Sequence, residues 1–361
     1  MKQTMKFEIV KPASKVNPGA SAEEPRIDSE AGPGGPAGGA AERLKAMRAW
    51  KTLRRLNAHT ARKFLVGVFR YVIIIGISYV ILYPIFQMLS TAFKDPSDLY
   101  DITVVWVPKH FTLDNFGPVL TVMNYWKAFM NSLLLSLVTS VLHVVSCTLI
   151  GYGFARFEFK GRDIVFALVV MTLVVPPQTI MIPIFLHFRF FDIFGILKAL
   201  TGREGILDSY WPFVLQSVTG MGFRNGLYIL IFRQYFRGMS RSLEEAAWVE
   251  GSGIFSTFYR IMLPNAVPAI VTVFLFSFVW QWNDEYFVSL FLENNEVLPV
   301  ALSALAPRVG SLAGDAHSLD PYYISLLNNT GSLVVIAPLL ILYIFAQKYF
   351  VESIERSGLV G

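Results

Sequence analysis

Apolar residues gather into six long runs, at about 66–89, 131–154, 164–188, 211–232, 267–290 and 332–350, with polar stretches between them. Each run is near the ~20 residues that an α-helix needs to cross the hydrocarbon core of a bilayer. A segment lodged in lipid must satisfy its own backbone, which a helix does without a partner. The pattern predicts an all-α, polytopic membrane protein with six transmembrane helices. No internal repeat accompanies the runs, which argues against a complete inverted-repeat carrier.

The polar stretch between the fourth and fifth runs is the most punctuated. Ser242-Leu243-Glu244-Glu245 has capping-box spacing, so Ser242 is expected to accept from the Glu245 amide while the Glu245 side chain reaches back. Glu244 and Glu245 suit the positive end of a helix dipole, and Gly251 supplies a left-handed stop. Ser252 is expected to cap a second piece through Ile254, Phe255, Phe258, Ile261 and Met262, with Pro264 and Pro268 resetting the chain. Two short helices at a glycine hinge follow.

Before the first run, residues 1–41 are polar and end in Gly32-Pro33-Gly34-Gly35-Pro36-Ala37-Gly38-Gly39, the composition of a disordered tail. Their basic lead lacks the apolar core and cleavage site of a signal peptide, so the tail is expected to be retained. Residues 42–65 form a basic juxtamembrane segment. Glu42 to Ala58 reads as helical, yet Leu44, Met47, Trp50, Leu53 and Leu56 recur every third position and drift around a 3.6-residue helix without a clean apolar face.

Composition agrees with the bilayer: 54% of residues are hydrophobic, 16% charged, and mean hydropathy is +0.49. Seventeen Lys and Arg fall on one side of the predicted membrane and seven on the other. Positive residues stay cytoplasmic, so both termini and the Glu245 loop are expected inside, with the loops at 190–210 and 292–331 outside. A net charge of +5 then fits an anionic leaflet rather than nucleic acid. The lone Cys147 excludes an internal disulfide.

Polar residues within the runs are few. Arg224 lies among Gly220, Gly222, Asn225 and Gly226, the signature of a locally opened helix lining a cavity. Ser277, Gln281, Asp284 and Glu285 are spaced four, three and one, which predicts one polar face on the fifth helix, with Trp280 and Trp282 bracketing Gln281. Aromatic faces beside amides and carboxylates suit a polyhydroxylated ring; the same groups also suit polar packing between helices. Gln281, Asp284 and Arg224 are expected to line one aqueous pathway, with Asn283 and Glu285 as further candidates. The five histidines lack metal-ligand spacing and no nucleophile–base arrangement stands out. Neither a metal site nor a catalytic residue is expected.

The spacing Glu245-Ala246-Ala247, three residues, Gly251, nine residues, Ile261-Met262-Leu263-Pro264 resembles the signature loop of permeases in binding-protein-dependent ABC importers. Phe232-Arg233-Gln234-Tyr235-Phe236, Trp282-Asn283, Asn131-Ser132-Leu133, Tyr152-Gly153-Phe154-Ala155-Arg156 and the ending from Tyr349-Phe350-Val351 to Gly361 extend the resemblance to the carbohydrate class, over about 65–361. It is nearest to the smaller, six-span permease of maltose-type systems, which makes 66–361 the permease domain.

That resemblance implies a cytoplasmic coupling helix between spans four and five, with Glu245, Ala246, Ala247 and Gly251 engaging an ATPase. It further implies an ABC ATPase dimer, a second permease and an extracytoplasmic sugar-binding protein as partners, in a bacterial inner membrane. The chain has no G-x-x-x-x-G-K-[ST], so ATP and Mg belong to the partner ATPase and no cofactor to this chain. Import of a phosphorylated polyol is an alternative within the architecture. An ion-coupled carrier or channel is one outside it, and leaves the Glu245 loop without purpose.

Overall fold

A computed structural model describes residues 36–358, apart from 193–194, 196–197, 200–201, 203, 294–295 and 314–319. Contacts divide the chain into two units, residues 1–77 and 78–361. The first is described from Pro36, where helix α1 (Pro36–Ala92) begins. Of the expected tail, residues 1–35 lie outside the described part and 36–41 already belong to α1.

In the second unit the end of α1 brings Tyr83 edge-on to Trp106, ring centroids 5.0 Å apart. A single 3-10 turn at Pro96–Tyr100 follows, started by Asp95, which accepts from the Ser97 amide at 2.9 Å. Asn115 then ties this loop to the helix end by donating to the carbonyls of Ala92 (3.0 Å) and Lys94 (2.8 Å). Helix α2 (Phe116–Val122) leads into α3 (Tyr125–Arg156), an unbroken rod of 32 residues.

α3 is the axis of this unit because one face is small. Ala128, Ser132, Ser136, Thr139, Ser140, Ser146, Cys147, Gly151 and Ala155 are all buried along it. Small residues let helix backbones approach closely where no water-driven force assembles helices in lipid. Thr139 returns its hydroxyl to the Leu135 carbonyl at 2.7 Å, so the hydroxyl is satisfied without leaving the helix.

The remaining elements are α4 (Arg162–Met171), α5 (Pro177–Arg189), α6 (Trp211–Thr219), α7 (Asn225–Gly238), α8 (Ser242–Val249), a bent segment Ile254–Asn265, α9 (Val267–Trp282), α10 (Tyr286–Phe291), α11 (Leu298–Ser303), α12 (Leu305–Ala313) and α13 (Pro321–Gly358). Among the described residues no β-strand forms. The fold is all-α.

Three helices are individually long and apolar enough to cross a membrane: Arg62–Ala92, Tyr125–Arg156 and Pro321–Gln347. They coincide with the first, second and sixth predicted spans. The other three runs are interrupted. The third splits into α4 and α5 at Pro176-Pro177, since Pro176 is held extended (φ −62°, ψ 136°) by the proline after it. The fourth splits into α6 and α7 at Gly220, which takes the left-handed conformation (φ 69°). The fifth stops at Trp282 and resumes at Tyr286, and its N-terminal end meets Ile254–Asn265 at a 73° bend. The stretch 292–331, read from sequence as a long loop, holds α11, α12 and the start of α13.

Aromatic packing joins these pieces. Tyr152, Phe232, Phe236 and Met262 form one core with Val273, and Trp282, Phe278, Leu298, Leu305 and Leu327 a second. Arg233, 7% exposed, lies with its guanidinium 3.8 Å from the centroid of Phe166, which fastens α7 to α4.

Candidate functional site: an exposed loop and a polar cavity

Helix α8 carries the Glu245 loop. The capping box does not form. Arg241 occupies the cap in a helical conformation, Ser242 is already inside the helix, and its hydroxyl pairs with that of Ser240 at 2.7 Å. Ser252 likewise does not cap the second piece, whose cap is Gly253 in an extended conformation. Capping spacing thus marked the helix start to within one residue while the side chains took other partners.

Gly251 behaves as its position suggests, with φ 84°; its amide donates to the Trp248 carbonyl at 3.0 Å and the Ser252 amide donates to Ala247 at 2.8 Å. These bonds close the end of α8. Past the hinge the chain passes through a π turn, Phe258–Met262, before Pro264.

Glu245, Ala246 and Gly251 are exposed, whereas Ala247 is buried at 3%. Around them the loop exposes Trp248 (51%), Val249 (89%), Ile254 (51%), Phe255 (87%) and Tyr259 (71%). Large apolar side chains exposed together on a loop otherwise rich in charge are the kind of surface through which proteins meet partners.

Sequence reasoning missed the neighbour of Glu245. Glu244, 4% exposed, turns inward: Tyr152 Oη donates to its Oε1 at 2.7 Å, and its Oε2 lies 3.1 Å from Nε of the buried Arg156. The Arg156 Nε–H is not directed along that contact and makes no hydrogen bond, so the pair is held by charge. Arg156 Nη2 donates instead to the Met239 carbonyl at 2.9 Å.

The second feature is a cavity of about 60 Å³, bounded by α3, the α6–α7 break, α9 and Phe287 of α10. It holds room for several waters. Arg224, Gln281 and Asp284 all line it, together with His143, Ser277 and Tyr228. The break at Gly220 places Arg224 at the start of α7, where its guanidinium lies 4.7 Å from the centroid of Trp280. Trp280 in turn stacks on Phe276 at 5.8 Å. His143 Nδ1 is 2.8 Å from Ser277 Oγ. Gln281 Nε2 and Asn225 Oδ1 are buried without a hydrogen-bond partner in the protein.

Asn283 and Glu285 are exposed and do not line the cavity; Asn283 Nδ2 folds back onto the Val279 carbonyl at 2.7 Å. Trp282 does not flank Gln281 as an aromatic platform. It is 1% exposed, packs on Phe129 and donates to the Val335 carbonyl at 3.2 Å. Two residues apart on a helix means about 200° around it, so Trp280 and Trp282 face opposite ways. His143 gains its partners from two other helices, Ser277 of α9 and the ring of Tyr228 of α7, whose centroid is 5.3 Å away. Among the described residues no three His, Cys, Asp or Glu converge.

The long apolar helices and the interrupted apolar runs between them are those of a multi-pass membrane protein. The chain belongs to the family described as binding-protein-dependent transport system inner membrane component, whose model matches residues 147–356, more than half of it. It is a permease component of an ABC import system. It is 31% identical over 293 residues to the arabinooligosaccharides transport system permease protein AraQ of Bacillus subtilis (strain 168), covering 79% of this chain and 92% of that one. To the osmoprotective compounds uptake permease protein GgtD of Synechocystis sp. it is 29% identical over 311 residues, 84% of this chain and 96% of that one. The fold matches a chain of the crystal structure of a bacterial ABC transporter involved in import of the acidic polysaccharide alginate, with TM-score 0.61 and 22% identity over 79% of this chain and 96% of that one.

Proposed function

We propose that the chain is the permease subunit of a carbohydrate importer, moving a sugar or oligosaccharide inward through an interface shared with a second permease. Its work is vectorial; ATP and Mg are bound and hydrolysed on a separate ATPase dimer, and an extracytoplasmic sugar-binding protein delivers the substrate. The observation that carries the coupling half of this reading is the apolar patch of Trp248, Val249, Ile254 and Phe255 around exposed Glu245 and Gly251. The sugar half is supported by the relatives' names and by a cavity whose walls mix Trp280 and Tyr228 with amide, carboxylate and guanidinium groups.

In this reading six spans cross the bacterial inner membrane, three of them as paired half-helices, and both termini are cytoplasmic. Half-helices at membrane depth are tolerated where they line a protein-walled cavity, as the Gly220 break does here. An impermeant thiol reagent should then label a cysteine at Ser311 from outside and leave one at Ser256 unlabelled, with Cys147 replaced beforehand. The reverse pattern would turn the loop away from any ATPase.

The decisive experiment is gentle extraction of the chain from its membrane and identification of what remains bound. An ATPase with a phosphate-loop lysine and a second permease are expected. Recovery of the chain alone, fully active in uptake, would favour an ion-coupled carrier. Uptake of labelled oligosaccharides by the same cells, compared with phosphorylated polyols, tests the substrate class.

A further inference from the structure

The loop that carries the exposed Glu245 is attached to the rest of the permease by more than its covalent ends. At one end α8 joins α7 through Met239–Arg241, with Met239 extended (φ −77°, ψ 142°). At the other it leaves through the Gly251 hinge. An extended linker and a glycine hinge fix distance far better than orientation. The third attachment is the buried set of Glu244, Tyr152 and Arg156, whose side chains fix the angle of α8 against the end of α3. Arg156 also grips the Met239 carbonyl, so the linker is held by the same residue.

α3 runs unbroken from that joint to the cavity. His143 lies about 14 Å back along the helix from Tyr152 at ~1.5 Å per residue, and it forms part of the cavity wall. Between the two, Gly151 lets α3 touch α7 backbone to backbone, so that α3 and the helix bearing Arg224 are wedged together. We propose that Glu244, Tyr152 and Arg156 are positioning residues that transmit movement of α8 to α3 and thence to the cavity. This rests on the reading of α8 as the ATPase-coupling helix. It assigns the two adjacent glutamates separate tasks: Glu245 faces the partner and Glu244 faces the permease.

A buried ion pair is weak evidence for stability in itself, and its retention in a well-packed interior is often explained by specification of one geometry. Here the geometry specified is the angle between an exposed partner surface and a membrane-spanning rod.

The test uses the full complex with its copurifying ATPase in lipid vesicles, Cys147→Ala throughout, and a cysteine at Phe287 as a reporter on the cavity wall. The readout is the rate of labelling by a methanethiosulfonate reagent with and without ATP, at matched amounts of bound ATPase. ATP should change the rate in the otherwise unmodified complex. In Glu244→Gln, which keeps an acceptor for Tyr152 but removes the charge, the ATP-dependent change should shrink by about tenfold, because one partner of a buried pair is lost. ATP hydrolysis should continue. Tyr152→Phe, which keeps the ring packed on Phe236 and Phe258, should give a smaller loss in the same direction and serves if Glu244→Gln assembles poorly.

An ATP response equal to that of the unmodified complex in either assembled variant overturns the proposal. So does a loss wholly accounted for by reduced ATPase binding. Glu245→Lys separates the two levels: if it uncouples while Glu244→Gln does not, transmission through Glu244 is wrong and the coupling reading stands. If ATP never changes labelling and Glu245→Lys is silent, both fall.

Discussion

Gly151 of α3 and Phe232 of α7 are so close that a β-carbon on the glycine would meet the phenylalanine Cβ at 2.5 Å, with the Arg233 amide nitrogen at 3.1 Å. Neither neighbour has room to yield, since Phe232 is fully buried. Gly151→Ala should therefore destabilise the assembled protein by about 1–3 kcal/mol, the usual cost of overpacking a tight core. Gly153, two residues on and so about 200° around the helix, meets nothing nearer than Phe157 Cδ2 at 3.9 Å. Gly153→Ala should be neutral or stabilising by up to ~1 kcal/mol, because alanine restricts the unfolded chain. Thermal denaturation of the two variants in detergent tests the contrast, and equal effects would contradict the close approach.

Gly251 is open around its Cα, with nothing within 4 Å of an added β-carbon, but its φ of 84° disfavours any side chain. Gly251→Ala should cost about 1 kcal/mol from the left-handed backbone alone, and Gly251→Asn less, since asparagine tolerates that region. Gly253 is equally open with φ −73°, so Gly253→Ala should be silent. ATP-dependent cavity labelling, ranked across these three variants, reads whether the hinge conformation matters to coupling. A Gly251→Asn complex more impaired than Gly251→Ala would mean that bulk, not backbone, sets the requirement.

The long helices were legible in the sequence because α1, α3 and α13 carry continuous apolar runs, in which Pro84 and Pro338 do not end the helix. The interrupted runs were legible only in part. Gly220, Gly222 and Gly226 announced an opening around Arg224, and the structure places a break there; Pro176-Pro177 was an equally plain signal that hydropathy alone passes over. Position along a chain also hides direction around a helix, which is why Trp282 was grouped with Trp280 although it faces Val335. Glu244 gives no local sign of its burial. Its partners Tyr152 and Arg156 are some ninety residues earlier, and only the packing of α8 on α3 brings them together.

Outside the spans, Asp98 is a buried carboxylate held by the backbone amide of His110 at 2.8 Å and by His110 Nδ1 at 2.8 Å. The backbone hydrogen bond, foremost, holds its pKa below the ordinary 3.8, against the opposing effect of burial. A carboxylate with a lowered folded pKa stabilises the fold above its unfolded value, and that contribution is lost as pH falls through the folded one. Hydrogen exchange of the segment around His110 should thus be slower in the parent than in Asp98→Asn near neutral pH. The difference should begin to shrink as pH falls past the ordinary carboxylate value and close only below the lowered folded one, where the parent carboxyl is protonated in the fold as well. A difference constant from neutral pH to acid would show that Asp98 acts by shape alone.

Arg224 and Asp284 share the cavity, yet among the described residues they form no ion pair within 4 Å. Arg224 rests instead on Trp280, and Asp284 accepts from the Phe287 amide at 3.1 Å at the start of α10. Trp280→Leu should accordingly weaken assembly by ~0.5–2 kcal/mol, the range of a partly desolvated cation–π contact. The two charges still feel each other across a polar gap that water can bridge, and each alone would be an uncompensated charge at membrane depth. Arg224→Leu and Asp284→Leu should each lower the yield of assembled complex, while the double variant recovers part of the loss, with a coupling of about 0.5–3 kcal/mol. Strict additivity of the single defects would mean that the cavity solvates each group independently, and the pair would no longer mark one continuous polar path.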